Sequence, residues 1–253
     1  MKVLGVILAR AGSKGLPNKC LRPLLGRAVI EYTFEHVAAS RRLTAVVFST
    51  DSKELATLAR GRGLAVIDRP EELATDATRV DDAARHAVER WEAQHRQRVE
   101  AVALLYGNIP VRARGLIDQA IELLGTTGAD SVRSVAPVSK QHPDWLHRVE
   151  GGCLVPFRPN SIYRRQDLEP LYYHDGAAAI VRREALFGAL RHPDDAQAFW
   201  GSHRRALVQS AEAAVDVDEP VDLLFAEAVL RAQGREEVGS VSVAGEGSTG
   251  AGG

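Results

Sequence analysis

The chain has 253 residues, 45% of them hydrophobic, and a formal net charge of −1. That length and apolar content support one sizeable α/β domain, and a charge so near zero excludes the broad basic field of a nucleic-acid binder. No apolar run approaches the roughly 18 residues of a membrane span, and the N-terminus reads as a strand with one lysine, not as a signal peptide. Cys20 and Cys153 stand far apart, without metal-ligand spacing and with no disulfide framework. The expectation is a cytoplasmic protein whose partners include neither nucleic acid nor membrane.

The first element is the apolar run 3–9, V-L-G-V-I-L-A, which stops at Arg10 and reads as a buried strand of a parallel sheet. The loop R-A-G-S-K-G-L-P-N-K follows at the strand's carboxyl end, where α/β sheets hold ligands. Ile30, Phe34 and Val37 predict a helix over 27–39. A strand over 45–49 ends in Thr50-Asp51, a helix over 52–62 stops at Gly63, and a short strand covers 64–67. The stripe Val80, Ala83, Ala84, Ala87, Val88 and Trp91 predicts a helix over 79–92. A strand over 101–105 runs into Tyr106-Gly107-Asn108, a helix covers 114–124, and a strand covers 131–135.

From 138 to 175 the pattern fails, as histidine, proline and arginine replace apolar periodicity. So long an irregular stretch is a functional insertion or an arm that packs elsewhere. A strand over 177–181, a helix over 183–190, strand-like runs at 206–208 and 214–217 and a last helix over 219–233, with Pro220 near its start, complete the pattern. The segment 235–253, rich in Gly, Ser and Glu without aromatics, reads as a disordered tail after a domain over 1–234. Alternating strands and helices predict an α/β fold with a doubly wound, mainly parallel sheet and right-handed connections.

Five constellations stand out, four of them suited to chemistry. In the first loop, Gly12 and Gly15 let backbone N–H groups approach a ligand, and Arg10, Lys14 and Lys19 add positive charge, which suits a polyphosphate. It is neither a Walker loop nor the dinucleotide fingerprint. Ser49-Thr50-Asp51 closes a strand with hydroxyls and a carboxylate and takes a structural role. In R-P-E-E-L-A-T-D-A-T, from Arg69 to Thr78, the proline extends the chain, and Thr75 to Thr78 are candidates to cap the helix that follows. Arg164-Arg165-Gln166 offers either a solvated face or a planar guanidinium for a carboxylate. In V-D-V-D-E-P, strand periodicity sets Asp216 and Asp218 on one side, a pair suited to Mg²⁺; the alternative is that Asp218 caps the last helix.

The string A-R-x-G-S-K-G-L-P-x-K resembles the opening motif of the acylneuraminate cytidylyltransferase family, enzymes that make CMP-activated sialic acids and related nine-carbon keto-acid sugars. The S-T-D tripeptide, the R-P-x-x-L-A-x-D-x-[ST] segment, an R-x-Q-x-L string and a D-x-D-x-P-x-D segment follow in family order, so the resemblance runs from residue 3 to about residue 230. It implies a Rossmann-like nucleotidyltransferase that joins CMP, from CTP, to a keto-acid sugar and releases pyrophosphate. Arg10, Lys14 and Lys19 are then the catalytic charges around the triphosphate, with Ala9, Gly12 and Ser13 beside them in the nucleotide site. Arg69 and Thr78 lie near the base. Tyr106 and Asn108 face the acceptor sugar, Arg165 takes its carboxylate with Gln166 alongside, and Asp216 and Asp218 hold Mg²⁺. The resemblance also implies a homodimer built by 138–175, in which Lys140 and His142 are candidates to serve the partner's site.

The chain departs from the family at L-L-Y-G-N-I-P-V-R, where the family carries L-L-Q-P-T-S-P-L-R, and at Cys20, where it carries Asn. Tyr106 stands in place of a sugar-contacting Gln. These departures leave open a nonulosonate or an octulosonate acceptor, CTP or GTP, and a nucleotide-binding module without transfer activity.

Overall fold

The computed structural model describes residues 1–12 and 15–235. The strands and helices follow in chain order as β1 (Val3–Leu8), β2 (Pro23–Leu24), β3 (Arg27–Ala28), α1 (Val29–Ala39), β4 (Ala45–Thr50), α2 (Lys53–Gly61), β5 (Ala65–Asp68), α3 (Val80–His95), β6 (Ala101–Tyr106), α4 (Leu116–Thr127), β7 (Ser131–Pro137), β8 (His147–Glu150), β9 (Cys153–Pro156), β10 (Tyr172–Arg182), α5 (Arg183–Gly188), β11 (Arg204–Val208) and α6 (Pro220–Ala232). Every residue of β1 is buried, as an uninterrupted apolar run in the middle of a sheet requires. Ser52 caps α2 by accepting a hydrogen bond from the Leu55 amide at 3.3 Å, and Gly63, at φ +76°, ends it.

Seven strands form one sheet in the order β11-β7-β10-β6-β1-β4-β5. All run parallel except β10, which lies antiparallel between β6 and β7. The doubly wound, mainly parallel sheet expected from the sequence is present. The chain enters β10 from the insertion with no crossover helix before it, which frees β10 to run the other way.

α1, α2 and α4 pack Ile30, Phe34, Leu55, Ile117 and Leu124 on one face; α3 and α5 pack Ala84, Val88, Trp91 and Leu186 on the other. On that second face the register aligns Val47, Val6, Leu104, Ala179, Arg133 and Ala206 in one row across six strands. Arg133 is the charged member of an otherwise apolar row. A smaller core joins Leu16, Leu24, Tyr32, Val217 and Leu230, fastening α6 beneath the first loop.

Three expectations need correction. Residues 214–217 form no sheet strand: Val215 makes an isolated antiparallel bridge to Val111, and the Val217 amide donates to the Asn108 carbonyl at 2.9 Å. The segment thus crosses the exit of β6 instead of extending the sheet. The region 138–175 is not irregular throughout. It holds the β8–β9 hairpin, turned at Gly151-Gly152 with both φ positive, and the start of β10. Arg235 is not loose: its guanidinium pairs with Glu35 at 2.7 Å. The rest of the expected tail lies outside the described residues.

Candidate active site

The carboxyl ends of β1 and β6 and the start of α3 enclose a cleft of about 440 Å³ lined by Ala9, Arg10, Lys19, Arg69, Thr78, Tyr106, Asn108 and Asp218 among others. Each wall is fixed by short-range chemistry. The Asp51 carboxylate accepts a hydrogen bond from the Ala11 amide at 2.9 Å, tying the first loop to the end of β4. Arg69 is buried and donates to Ser49 Oγ at 3.2 Å and to the Ser49 carbonyl at 2.7 Å. The S-T-D tripeptide is therefore a fastening, as expected. Arg10 spans the cleft to Asp76 at 2.5 Å and to the Ala74 carbonyl at 3.4 Å. Ser13 and Lys14 lie outside the described residues.

The Thr78 hydroxyl accepts from the Thr75 amide at 3.2 Å and donates to the Glu72 carbonyl at 3.3 Å. The helix cap expected of it does not form, because α3 starts two residues later with Arg79 before it. Thr78 closes its own turn and presents that turn to the cleft.

The opposite wall is built by Asn108. Its side-chain amide donates to Asp216, to the Val217 carbonyl at 3.2 Å and to Asp218 at 3.3 Å. One donor thereby draws both carboxylates together, although strand pleating does not. Lys19 adds a charged contact to Asp218 at 2.5 Å. Asp218 does not cap α6. Glu219 is the N-cap, and Asp222 in the first turn completes a capping box, its carboxylate accepting from the amides of Asp218 at 2.9 Å and Glu219 at 2.7 Å. A carboxylate that the helix does not use is left to the cleft.

Asp216 is crowded by protein atoms on one side while staying exposed at the surface; this desolvation, and then the neighbouring charge of Asp218, pushes its pKa up to about 6. A cation relieves both penalties, so the pair fits a divalent metal with oxygen preference. Among the described residues no group of three or more His, Cys, Asp or Glu is placed to hold a metal, and two carboxylates with substrate phosphates are the donor set that Mg²⁺ commonly takes.

Beneath the cleft, Arg112 is buried and straps the turn after β6 to β10. It donates to the Tyr106 carbonyl at 2.8 Å, the Ala177 carbonyl at 2.8 Å and Thr33 Oγ1 at 2.8 Å, and to the Ile109 carbonyl. Burial pushes its pKa down to about 9.

Other expected residues lie elsewhere. Arg165 and Gln166 are exposed on a short turn of the insertion and do not line the cleft. Lys140 is exposed. His142 is buried, with Nε2 donating to the Glu169 carbonyl at 3.0 Å and Nδ1 accepting from the Asp144 amide at 3.2 Å. Both ring nitrogens are engaged within its own chain, so the loan of His142 to a partner's site does not hold. Asp76 and Asp222 carry contacts that the sequence reading does not assign; each is the last acid of a recognised motif, which is the signal that points to it.

The cytidylyltransferase family model matches residues 4–229. The chain belongs to that family. N-acylneuraminate cytidylyltransferase of Streptococcus agalactiae serotype V is 31% identical over 228 residues, covering 88% of this chain and 52% of that enzyme. The chain thus spans about half the length of that relative. CMP-N,N'-diacetyllegionaminic acid synthase of Legionella pneumophila is 30% identical over 236 residues, covering 91% of this chain and 97% of the synthase. CMP:2-keto-3-deoxy-manno-octonic acid synthetase, solved with CTP, superposes with a TM-score of 0.70 at 18% identity over 92% of this chain and all of that one, a likeness of fold. The family read from the motifs is borne out. No helix among the described residues is long and apolar enough to cross a membrane.

Proposed function

We propose that this cytidylyltransferase-family chain joins CMP from CTP to an acidic keto sugar. A sugar hydroxyl, in a nonulosonate the anomeric one, attacks the α-phosphorus; the new O–P bond forms as the bond to the β-phosphate oxygen breaks, pyrophosphate leaves and the hydroxyl proton passes to solvent. The observation that carries the reading is the contact of Lys19 with Asp218, which sets the phosphate-loop charge against the carboxylate pair in one cleft.

Arg10, Lys14 and Lys19 neutralise the triphosphate, with Ala9, Gly12 and Ser13 beside them in the nucleotide site. The turns that carry Arg69 and Thr78 receive the base. Mg²⁺ on Asp216 and Asp218 would offset charge on the α-phosphate. Catalysis then rests on position and charge. Named relatives act on acylneuraminate, diacetyllegionaminic acid and pseudaminic acid, all acids, which supports an acidic acceptor. The exposed apolar side chains of Val149 and Leu154 on the β8–β9 hairpin support a homodimer through the insertion. A cytoplasmic location completes the reading.

The test is pyrophosphate release from each nucleoside triphosphate with N-acetylneuraminate, N,N'-diacetyllegionaminate and 2-keto-3-deoxy-manno-octonate. Release with CTP and one acid is expected. Release with GTP alone replaces the base, and nucleotide binding without release from any pair leaves a binding module.

A further inference from the structure

Three carboxylates from three separate segments hold the first loop. Asp51 takes the Ala11 amide at 2.9 Å, Asp218 takes Lys19 at 2.5 Å, and Asp76 takes Arg10 at 2.5 Å. The groups they hold are an amide, an ammonium and a guanidinium, the donors that bind phosphate oxygens elsewhere. A loop suited to a polyphosphate is thus already supplied with internal anions.

The three acids are not equivalent. Asp51 fastens the loop to the end of β4, and Asp218 shares the Asn108 amide with Asp216 in the pair that fits a cation. Asp76 has neither duty. It stands on the turn between β5 and α3, its side chain 44% exposed against 32% for Arg10. Among the described residues, and apart from the contacts of Asp76 and Arg10, the hydrogen bonds of residues 70–78 stay within that turn. The Leu73 amide donates to the Pro70 carbonyl, the Ala74 amide to the Glu71 carbonyl and the Thr78 hydroxyl to the Glu72 carbonyl. The turn therefore shapes itself, and Arg10, 66 positions before Asp76, joins it to the phosphate loop with a second, longer bond to the Ala74 carbonyl at 3.4 Å.

An ion pair this exposed is weakly held, because water solvates both partners and screens the attraction. The planar fork of Arg10 matches phosphate oxygens, and a triphosphate with several negative charges outcompetes a single carboxylate for it. Once Arg10 turns to phosphate, the Asp76 carboxylate stays in the cleft wall as a like charge facing the ligand. Both effects weaken binding. A cleft that takes up one polyanion and must release another after transfer is served by that weakening.

We propose that Asp76 is the internal anion that Arg10 exchanges for the triphosphate and recovers as pyrophosphate leaves. Asp76 is a positioning residue that acts through Arg10, and it limits affinity where the loop cations raise it. The assignment rests on the reading that this cleft takes a nucleoside triphosphate.

Asp76→Asn tests it, because asparagine keeps the shape and removes the charge. Pyrophosphate and CTP, each alone with Mg²⁺, are titrated into wild type and variant by calorimetry, so that no transfer takes place. The dissociation constant of pyrophosphate should fall about three- to ten-fold in the variant, and that of CTP should fall in the same direction. In an Arg10→Ala background the same substitution should change either constant by less than about two-fold, as a double-mutant cycle requires of a residue acting through Arg10. If Asp76→Asn does not fold, Asp76→Ala carries the same expectation. Unchanged or weaker pyrophosphate binding in the variant overturns the assignment, and so does equal tightening when Arg10 is absent. Tightening as stated, with no transfer to any acid by wild type, overturns the functional reading and leaves the assignment standing. Wild-type protein that binds neither ligand overturns both.

Discussion

The ammonium of Lys19 lies 2.5 Å from a carboxylate oxygen of Asp218, 199 positions further along the chain. The same carboxylate accepts from the Asn108 amide, and Asn108 also holds Asp216. Three segments from separate parts of the sequence therefore meet around two acidic side chains, and the proposed transfer depends on their staying there.

Asp218→Asn separates the roles of that carboxylate. The side chain is 62% exposed, so its bridge to Lys19 contributes about 0–1 kcal/mol. Because Asp222 holds the helix start, the melting temperature should move by less than about 4 °C. Pyrophosphate release should fall at least about a hundred-fold, with partial recovery at high Mg²⁺. Full activity in this variant removes Asp218 from the site.

Asp216 sets a pH dependence. Its folded pKa, pushed up to about 6, lies above the ordinary value of 3.8. The folded state therefore binds this proton more tightly than the unfolded chain does, so the ionised group destabilises the fold. That penalty is complete above about pH 6 and vanishes as pH falls below the ordinary value. Solvent at the exposed side screens it, and only the sign is predicted for stability. Asp216→Asn should melt higher than wild type at pH 8 and match it near pH 4. Cation binding needs the carboxylate, so Mn²⁺ affinity of the wild-type protein, followed by the electron spin resonance of the free ion, should decline below about pH 6. A flat profile between pH 5 and 8 would contradict the assignment.

The two loop glycines should differ. A Cβ on Gly15 would stand 2.7 Å from the Asp218 backbone oxygen, whereas one on Gly12 meets nothing nearer than Arg10 at 3.9 Å. Gly15→Ala must push the loop from the carboxylate segment, an overpacking worth about 1–3 kcal/mol. It should weaken CTP binding in calorimetry, while Gly12→Ala keeps most of it. Equal affinities for the two variants would show that the loop and the Asp218 segment move independently.

Cysteine chemistry gives a direct check on packing. Cys20 is buried against the cleft and its thiol is pushed up to about 12, chiefly by desolvation; Cys153 is exposed on β9. Iodoacetamide at pH 8 should add one group per folded chain, at Cys153, and a second only after denaturation. Rapid labelling of Cys20 in the folded protein would mean that the cleft floor opens.

Much of this was readable in the sequence because the decisive signals are local. An apolar run cut off at Arg10 marks a central strand and its ligand-facing end, and the stripe from Val80 to Trp91 marks α3. What could not be read there depends on contacts between distant segments. Asn108 belongs to the acceptor motif by position, yet its amide is taken up by Asp216 and Asp218. Thr78 satisfies every local rule for a helix cap, but its hydroxyl is drawn back to Thr75 and Glu72. Arg133 reads as an ordinary strand residue until the register places it in an apolar row.

The antiparallel β10 also sets the order in which a growing chain can be finished. β6 and β7 both leave the ribosome before the strand that joins them, so their facing edges stay unpaired until residue 182 has emerged. The half of the sheet made by β1, β4, β5 and β6 can associate earlier, because all four strands precede β10 in the chain. The Asp216–Asp218 segment, anchored on Asn108, arrives after β10. Synthesis thus closes the sheet before it delivers the acidic pair, and a nascent chain holds its phosphate loop long before it has the groups that face it.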